Sequence, residues 1–238
     1  MWSRSDIKAR GKASFKANYF NCVVVSLLLT MIIGSGYTVV NNSALTNMEE
    51  QLNSMNMDQT QAMILLMGAL SAVGTVAAIF KIIDILILNP LEVGCQYFFL
   101  QNTREPVSIG AIGRAFSPGW INNVVALLLR DIFLAFWFFL FIIPGFVKRY
   151  SYRMVPFIIA EYPQMSATEA ITRSRQLMDG HKWNTFVMDL SFLGWDFLTA
   201  ITFGIAGIFW TQPYKFNAYA QLYLELKELS NIPNGTRI

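Results

Sequence analysis

The chain has 238 residues, 54% of them hydrophobic and only 14% charged. A soluble domain carries about 25% charged residues, so this composition excludes an ordinary soluble globular protein. The net charge is +3, and the basic residues are spread along the flanks of apolar segments. That distribution argues against nucleic-acid binding. Nineteen Phe, nine Tyr and six Trp suit membrane spans with aromatic interfacial belts.

Residues 1–18 predict a basic interfacial helix. Arg4, Lys8, Lys12 and Lys16 recur every four residues and form one stripe, while Ile7 and Phe15 make a poor apolar side. Five of the eighteen basic residues lie within the first sixteen positions, as expected for a cytoplasmic anchor. An apolar run follows over about Tyr19–Val39. It superficially resembles a signal peptide, but the basic region is long, so an uncleaved first span is expected. The loop 41–61 carries Glu49, Glu50 and Asp58 and no Lys or Arg.

The apolar stretch 62–100 is too long for one span of about 20 residues. Asn89-Pro90 is expected to break it into a second span, 62–88, and an interfacial helix, 90–101. Lys81 and Asp84 can pair at i,i+3. The third span is expected over Trp120–Ile143, bounded by Ser117-Pro118-Gly119 and Pro144-Gly145. Residues 146–160 are apolar enough for a short fourth span but hold Lys148, Arg149 and Arg153.

Ser166-Ala167-Thr168-Glu169 is a capping box that opens a surface helix over 166–179. Ala170, Ile171, Ser174, Leu177 and Met178 lie on one side of it, and Gly180 is a natural stop. Its basic residues place it in the cytoplasm. Residues 183–212 read as a fifth apolar stretch carrying Asp189 and Asp196. Residues 206–226 could return through the membrane, and 230–238 form a polar tail.

The fold class is therefore all-α: a polytopic transmembrane helix bundle with amphipathic interfacial helices, in one integral membrane domain over 1–238. Positive-inside reasoning puts the N-terminus in the cytoplasm and the acidic loop outside. Six crossings leave Lys148, Arg149 and Arg153 near the outer half of the fourth span. Five crossings make 62–80 and 82–100 separate spans and place 146–160 on the inner surface instead. The residues leave both arrangements open.

Several motifs carry a family resemblance: WSRxxIKxRxKxxFKxNY at the start, NPLEVG at 89–94, IIPG at 142–145, YSYRMVPFIIAE at 150–161 and MDGHKW at 178–183. Together they resemble the bacterial domain-of-unknown-function family number nine-seven-five, small membrane proteins mostly of Gram-positive bacteria. More distantly, the arrangement is similar to the membrane domain attached to some glycerophosphodiester phosphodiesterases. The resemblance implies six crossings and a cell-membrane location, and it brings no activity, ligand or catalytic residues.

No cofactor or metal is expected. His181 is the only histidine and lacks ligands at metal spacing; a solvated interfacial role is expected for it. The chain carries no nucleophile elbow, P-loop or dinucleotide fingerprint, so it reads as a non-enzyme. Cys22 and Cys95 read as small apolar residues.

The remaining constellation is intramembrane. Arg130 and Asp131 sit side by side inside the run VVALLLRDIFLAFWFFLFII, where charges are costly and normally face a bundle interior. Asn123 and Arg130 share a helix face, as do Arg149 and Arg153, and Asp189 and Asp196. If these faces converge, basic groups from two helices meet acids from a third, either as pairs that only fix helix register or as the lining of a polar cavity. The expected function is a lipid- or amphiphile-binding or small-solute transport protein with a charged intramembrane cavity. The alternative is a structural or accessory subunit that docks through 166–179 and 214–229. Expected partners are membrane lipids and a membrane protein or a second copy of the chain.

Overall fold

The computed structural model describes residues 2–35 and 59–231. Among the described residues the chain is all-helical, with no strand. The Lys81–Asp84 pairing concerns side chains outside the described set. So does the acidic loop, except that its last residues open a helix at Gln59.

Helix α1, Arg4–Ala17, meets α2, Tyr19–Ser35, at a bend of 108°. The side of α1 with the apolar residues is packed against the protein. Ile7, Gly11 and Phe15 of α1 are buried against the C-terminal helix α11, Gln212–Asn231. Gly11 makes that approach possible: a Cβ there would lie 2.7 Å from the Ala218 backbone, closer than any side chain tolerates.

Helix α3, Gln59–Ile83, runs through a π-helical turn, Asp84–Leu88, into α4, Asn89–Asn102. Pro90 sits in the first turn of α4, where its missing N–H is harmless. The expected break is thus a change of helical register. Helix α4 is packed into the protein core. Val93, Gly94, Cys95, Phe98, Phe99 and Leu100 are buried, and α4 packs on α2, α11 and the following 3₁₀ segment, Ile109–Phe116. At Gly94 a Cβ would stand 2.4 Å from the Ile112 carbonyl oxygen.

The turn before α5, Trp120–Leu140, passes through Gly119 at φ 95°. Helix α5 folds back on α6, Ile142–Ser151. The chain reverses at extended Phe141, and Pro144 falls inside α6. Gly145 lies against the Phe138 ring, 2.6 Å from its would-be Cβ. The next helix is α7, Val155–Glu161, buried from Val155 to Ala160.

Helix α8, Ala167–Leu177, begins where the capping box placed it. Ser166 Oγ accepts the Glu169 backbone N–H at 3.3 Å. Its buried side is the expected one: Ala170, Ile171, Ser174 and Leu177, with Met178 just beyond. Ser174 Oγ accepts the Met154 N–H at 3.2 Å and donates to the Ser151 carbonyl at 2.8 Å. Gly180 follows at φ 72°.

The stretch 183–212 is interrupted twice, the second time at Gly204, where a glycine offers a break. It divides at Ser191–Phe192 into α9, Lys182–Leu190, and α10, Leu193–Ile201. The chain then turns at Phe203 and Gly204, φ 49° and 90°, and returns through a π-helical turn, Gly207–Thr211, into α11. Helix α11 is a core element, with Tyr214, Phe216, Ala218, Leu222, Tyr223 and Leu226 buried. It is therefore not the free docking face expected over 214–229.

Candidate functional site

Polar groups inside this apolar fold collect in separate clusters, each built between helices far apart in sequence. In the first, Pro90 sets the start of α4 and places Glu92 in its first turn, where a carboxylate also suits the helix dipole. Arg130, midway along α5, meets it as a fork. Nη1 donates to Glu92 Oε1 at 2.8 Å and Nη2 to Oε2 at 3.3 Å. Arg130 Nε donates to Asp131 Oδ1 at 2.8 Å. Arg130 and Glu92 are 15% and 12% exposed, and Asp131 is 46% exposed. A planar guanidinium with two matched oxygens is the strongest ion-pair geometry available to a side chain.

The second cluster is centred on Asp189, near the end of α9. Its carboxylate accepts Arg153 Nη1 at 2.6 Å, Tyr150 Oη at 3.0 Å and Tyr219 Oη at 3.0 Å. The Arg153 guanidinium lies 4.1 Å from the Tyr219 ring centroid and 5.5 Å from that of Tyr150. This box ties α6, α9 and α11 together. In the third cluster, Lys215 Nζ lies 2.7 Å from both oxygens of Asp196, joining α10 to α11.

Glu161, at the end of α7, accepts Tyr223 Oη at 2.6 Å and Lys227 Nζ at 2.7 Å, with Arg104 at 3.7 Å. Burial pulls the Lys227 amine down, but its bond to Glu161 outweighs burial and leaves it raised. An amide network closes the α1–α2 bend. Asn18 Nδ2 donates to Asn102 Oδ1 at 2.8 Å, and Asn102 Nδ2 donates to Asn217 Oδ1 at 2.9 Å and to Cys22 Sγ at 3.2 Å.

The expected convergence of Arg130, Arg149, Arg153, Asp189 and Asp196 on one cavity is therefore corrected. Arg153 and Asp189 do meet. Asp196 does not join them: it lies seven residues further on, about 10 Å along a helix, and pairs with Lys215. Asn123 is also apart from Arg130. Its Nδ2 donates to the Ala115 carbonyl at 3.0 Å, and its buried Oδ1 has no partner. Beside it is a cavity of about 10 Å³ lined by Gly94, Arg114 and Ile159 among others, roughly the size of one water. Arg149 is exposed and forms no ion pair among the described residues.

His181 is also corrected. It is half-buried, and its Nδ1 accepts the Trp2 indole N–H at 3.2 Å. Burial lowers its pKa, against the opposing pull of Asp179.

Glu92, Glu161, Lys215, Tyr150 and Tyr219 were not singled out from the sequence. Glu92 carried the same signal that marked Arg130: a charge inside an apolar run needs a partner. No group of metal-ligating residues occurs among the described residues.

A family model described as "Protein of unknown function (DUF975)" matches residues 107–230. The chain belongs to this family. The match takes in the Arg130, Asp189, Asp196 and Glu161 clusters except for Glu92 and Arg104, which lie ahead of it. No curated protein and no solved structure matches the chain. The likeness to the phosphodiesterase membrane domain therefore rests on the quoted motifs alone. Family membership assigns no chemistry to the clusters, so their geometry is the basis for any reading of function.

Proposed function

We propose that this family member is a multi-pass protein of the bacterial cell membrane with a cytoplasmic N-terminus. Its role in this reading is non-enzymatic, as a structural or accessory component of a membrane assembly. The membrane part is supported by α5, an apolar helix of 21 residues. It is also supported by the exposed apolar surface. Phe203 is 98% exposed, Phe139 89% and Ile143 78%. Soluble monomers rarely expose contiguous apolar patches beyond a few hundred Å². Helices α2 and α3 would cross out and back around the acidic loop. Six crossings would further require the α5–α6 and α10–α11 hairpins each to traverse completely.

The observation that carries the structural role is the disposal of charge. Arg130 is committed to Glu92, Arg153 to Asp189 and Lys215 to Asp196, each joining two elements. Such pairs fix helix register. A permease or amphiphile-binding cavity needs Arg130 free for its ligand, and the fork to Glu92 occupies it. The test is alkaline carbonate washing of native membranes, then crosslinking and native gel electrophoresis of the gently solubilised protein. A carbonate-resistant protein in a complex of constant composition supports the reading. Recovery only as a monomer that takes up a small solute in vesicles overturns it.

A further inference from the structure

The α5–α6 hairpin ends in a tip made wholly of apolar residues. Between Asp131 and Lys148, residues 132–147 contain no charged, hydroxyl or amide side chain. Phe136, Phe139, Phe141, Ile142, Ile143 and Phe146 are all exposed there. The chain reversal at Phe141 carries no polar turn residue of the kind that faces water.

The height of the tip follows from helix rise. Lys148 is seven residues from Phe141 and Asp131 is ten, so the charges lie roughly 10–15 Å below the tip. The hydrocarbon core is about 30 Å thick. A tip at the far surface would leave Lys148 and exposed Arg149 near the midplane and facing lipid, the costliest place for a charge. A tip at the midplane brings the same charges to the headgroups.

The surroundings of Lys148 agree with the second placement. Helix α6 packs against α9, with the Tyr150 ring 6.1 Å from that of Phe186. Lys148 lies within electrostatic reach of Arg175, at the end of α8, and of Lys182, at the start of α9. These are the residues that positive-inside reasoning assigns to the cytoplasm. Arg175 is exposed, and among the described residues Lys182 pairs only with the outlying Asp179, at 3.4 Å. Lys148 Nζ also stands 4.5 Å over the Trp137 ring, and Trp183 is 71% exposed next to Lys182. Basic side chains with tryptophans at the foot of an apolar projection are what a headgroup layer selects.

We propose that the α5–α6 hairpin is a re-entrant wedge inserted into the cytoplasmic leaflet, its tip near the midplane, with Lys148, Arg149, Arg175 and Lys182 at its base binding anionic phospholipid headgroups. The inference rests on the membrane reading above and deepens it. It also removes the conflict with the positive-inside rule, because 120–160 then enters and leaves on one face.

The test uses the full chain carrying Phe141→Cys, in right-side-out and inside-out membrane vesicles, with an impermeant maleimide. Cys22 and Cys95 are buried, and the parent protein controls for them. The expected result is protection from both faces and labelling after denaturation. Labelling from the outer face overturns the wedge. In parallel, the protein is reconstituted with equal amounts of phosphatidylglycerol and phosphatidylcholine, and retained lipid is counted by native mass spectrometry. Replacing Lys148, Arg149, Arg175 and Lys182 by Gln should lower retained phosphatidylglycerol about tenfold or more, at a few-fold per basic residue, and leave phosphatidylcholine unchanged. Equal retention overturns the headgroup site, as does an acidic protein crosslinked through the same four residues. Removal of the protein by carbonate sinks the membrane reading itself, whereas a carbonate-resistant protein labelled at the tip sinks only the wedge.

Discussion

Removing Glu92 or Arg130 singly should harm this protein far more than removing both. The fork between them has bonds of 2.8 and 3.3 Å between groups only 12% and 15% exposed. Arg130→Met leaves Glu92 buried without its guanidinium. Breaking a buried pair in this way costs about 3–5 kcal/mol. At about 2–4 °C per kcal/mol for a domain of this size, the melting temperature should fall by roughly 6–20 °C. Glu92→Leu should cost less than Arg130→Met, because Asp131 still accepts Arg130 Nε at 2.8 Å. The double variant Glu92→Leu/Arg130→Met removes both desolvation penalties and should recover most of the loss, since apolar replacement of a buried pair is often neutral or stabilising. The assay is thermal unfolding in mild detergent for the four members of the cycle, read by tryptophan fluorescence. A double variant as unstable as the sum of the singles would refute the pairing. An Arg130→Met protein that melts like the parent would show that the pair does not hold α4 to α5.

Gly11→Ala should destabilise by about 1–3 kcal/mol, the usual cost of overpacking, because its Cβ would meet the Ala218 backbone at 2.7 Å; a melting temperature within a degree of the parent would count against the α1–α11 contact. Asp189→Asn should free Arg153 and weaken the bonds from Tyr150 and Tyr219, lowering stability by about 3 kcal/mol or more; the same assay reads it, with Asp179→Asn, an exposed carboxylate, as the silent control. His181 has its pKa lowered from 6.5, so the folded state disfavours the imidazolium. Its contribution is complete above pH 6.5 and is lost as pH falls below that value through the folded pKa. Protonation also removes the acceptor for the Trp2 indole, so stability should drop on acidification, and His181→Phe should flatten that limb. Cys22 and Cys95 are both fully buried and should resist an impermeant thiol reagent in the native protein and react on denaturation; native labelling at either would contradict the packing of α2 and α4.

Composition and periodicity alone determined that the chain is helical and unlike a soluble domain. They also located the helices whose signals are local. The Ser166 cap, the buried side of α8 and the stop at Gly180 depend on residues within a few positions of one another, so they were legible without the fold. The same holds for the start of α5 after Ser117-Pro118-Gly119. Tertiary structure decided which charge meets which. Helical spacing put Asp189 and Asp196 on one face, but the fold paired one with Arg153 and the other with Lys215. It put Asn123 with Arg130, yet Asn123 turned to Ala115 and Arg130 to Glu92, 38 positions away. Burial of α1 and α4 was equally hidden, because Gly11 and Gly94 announce a close approach only once the backbone they face is in place. Local hydrogen bonds and helical periodicity act over a few residues and can be read along the chain. Ion pairs and glycine contacts join residues brought together only by the fold, and no sequence spacing encodes them.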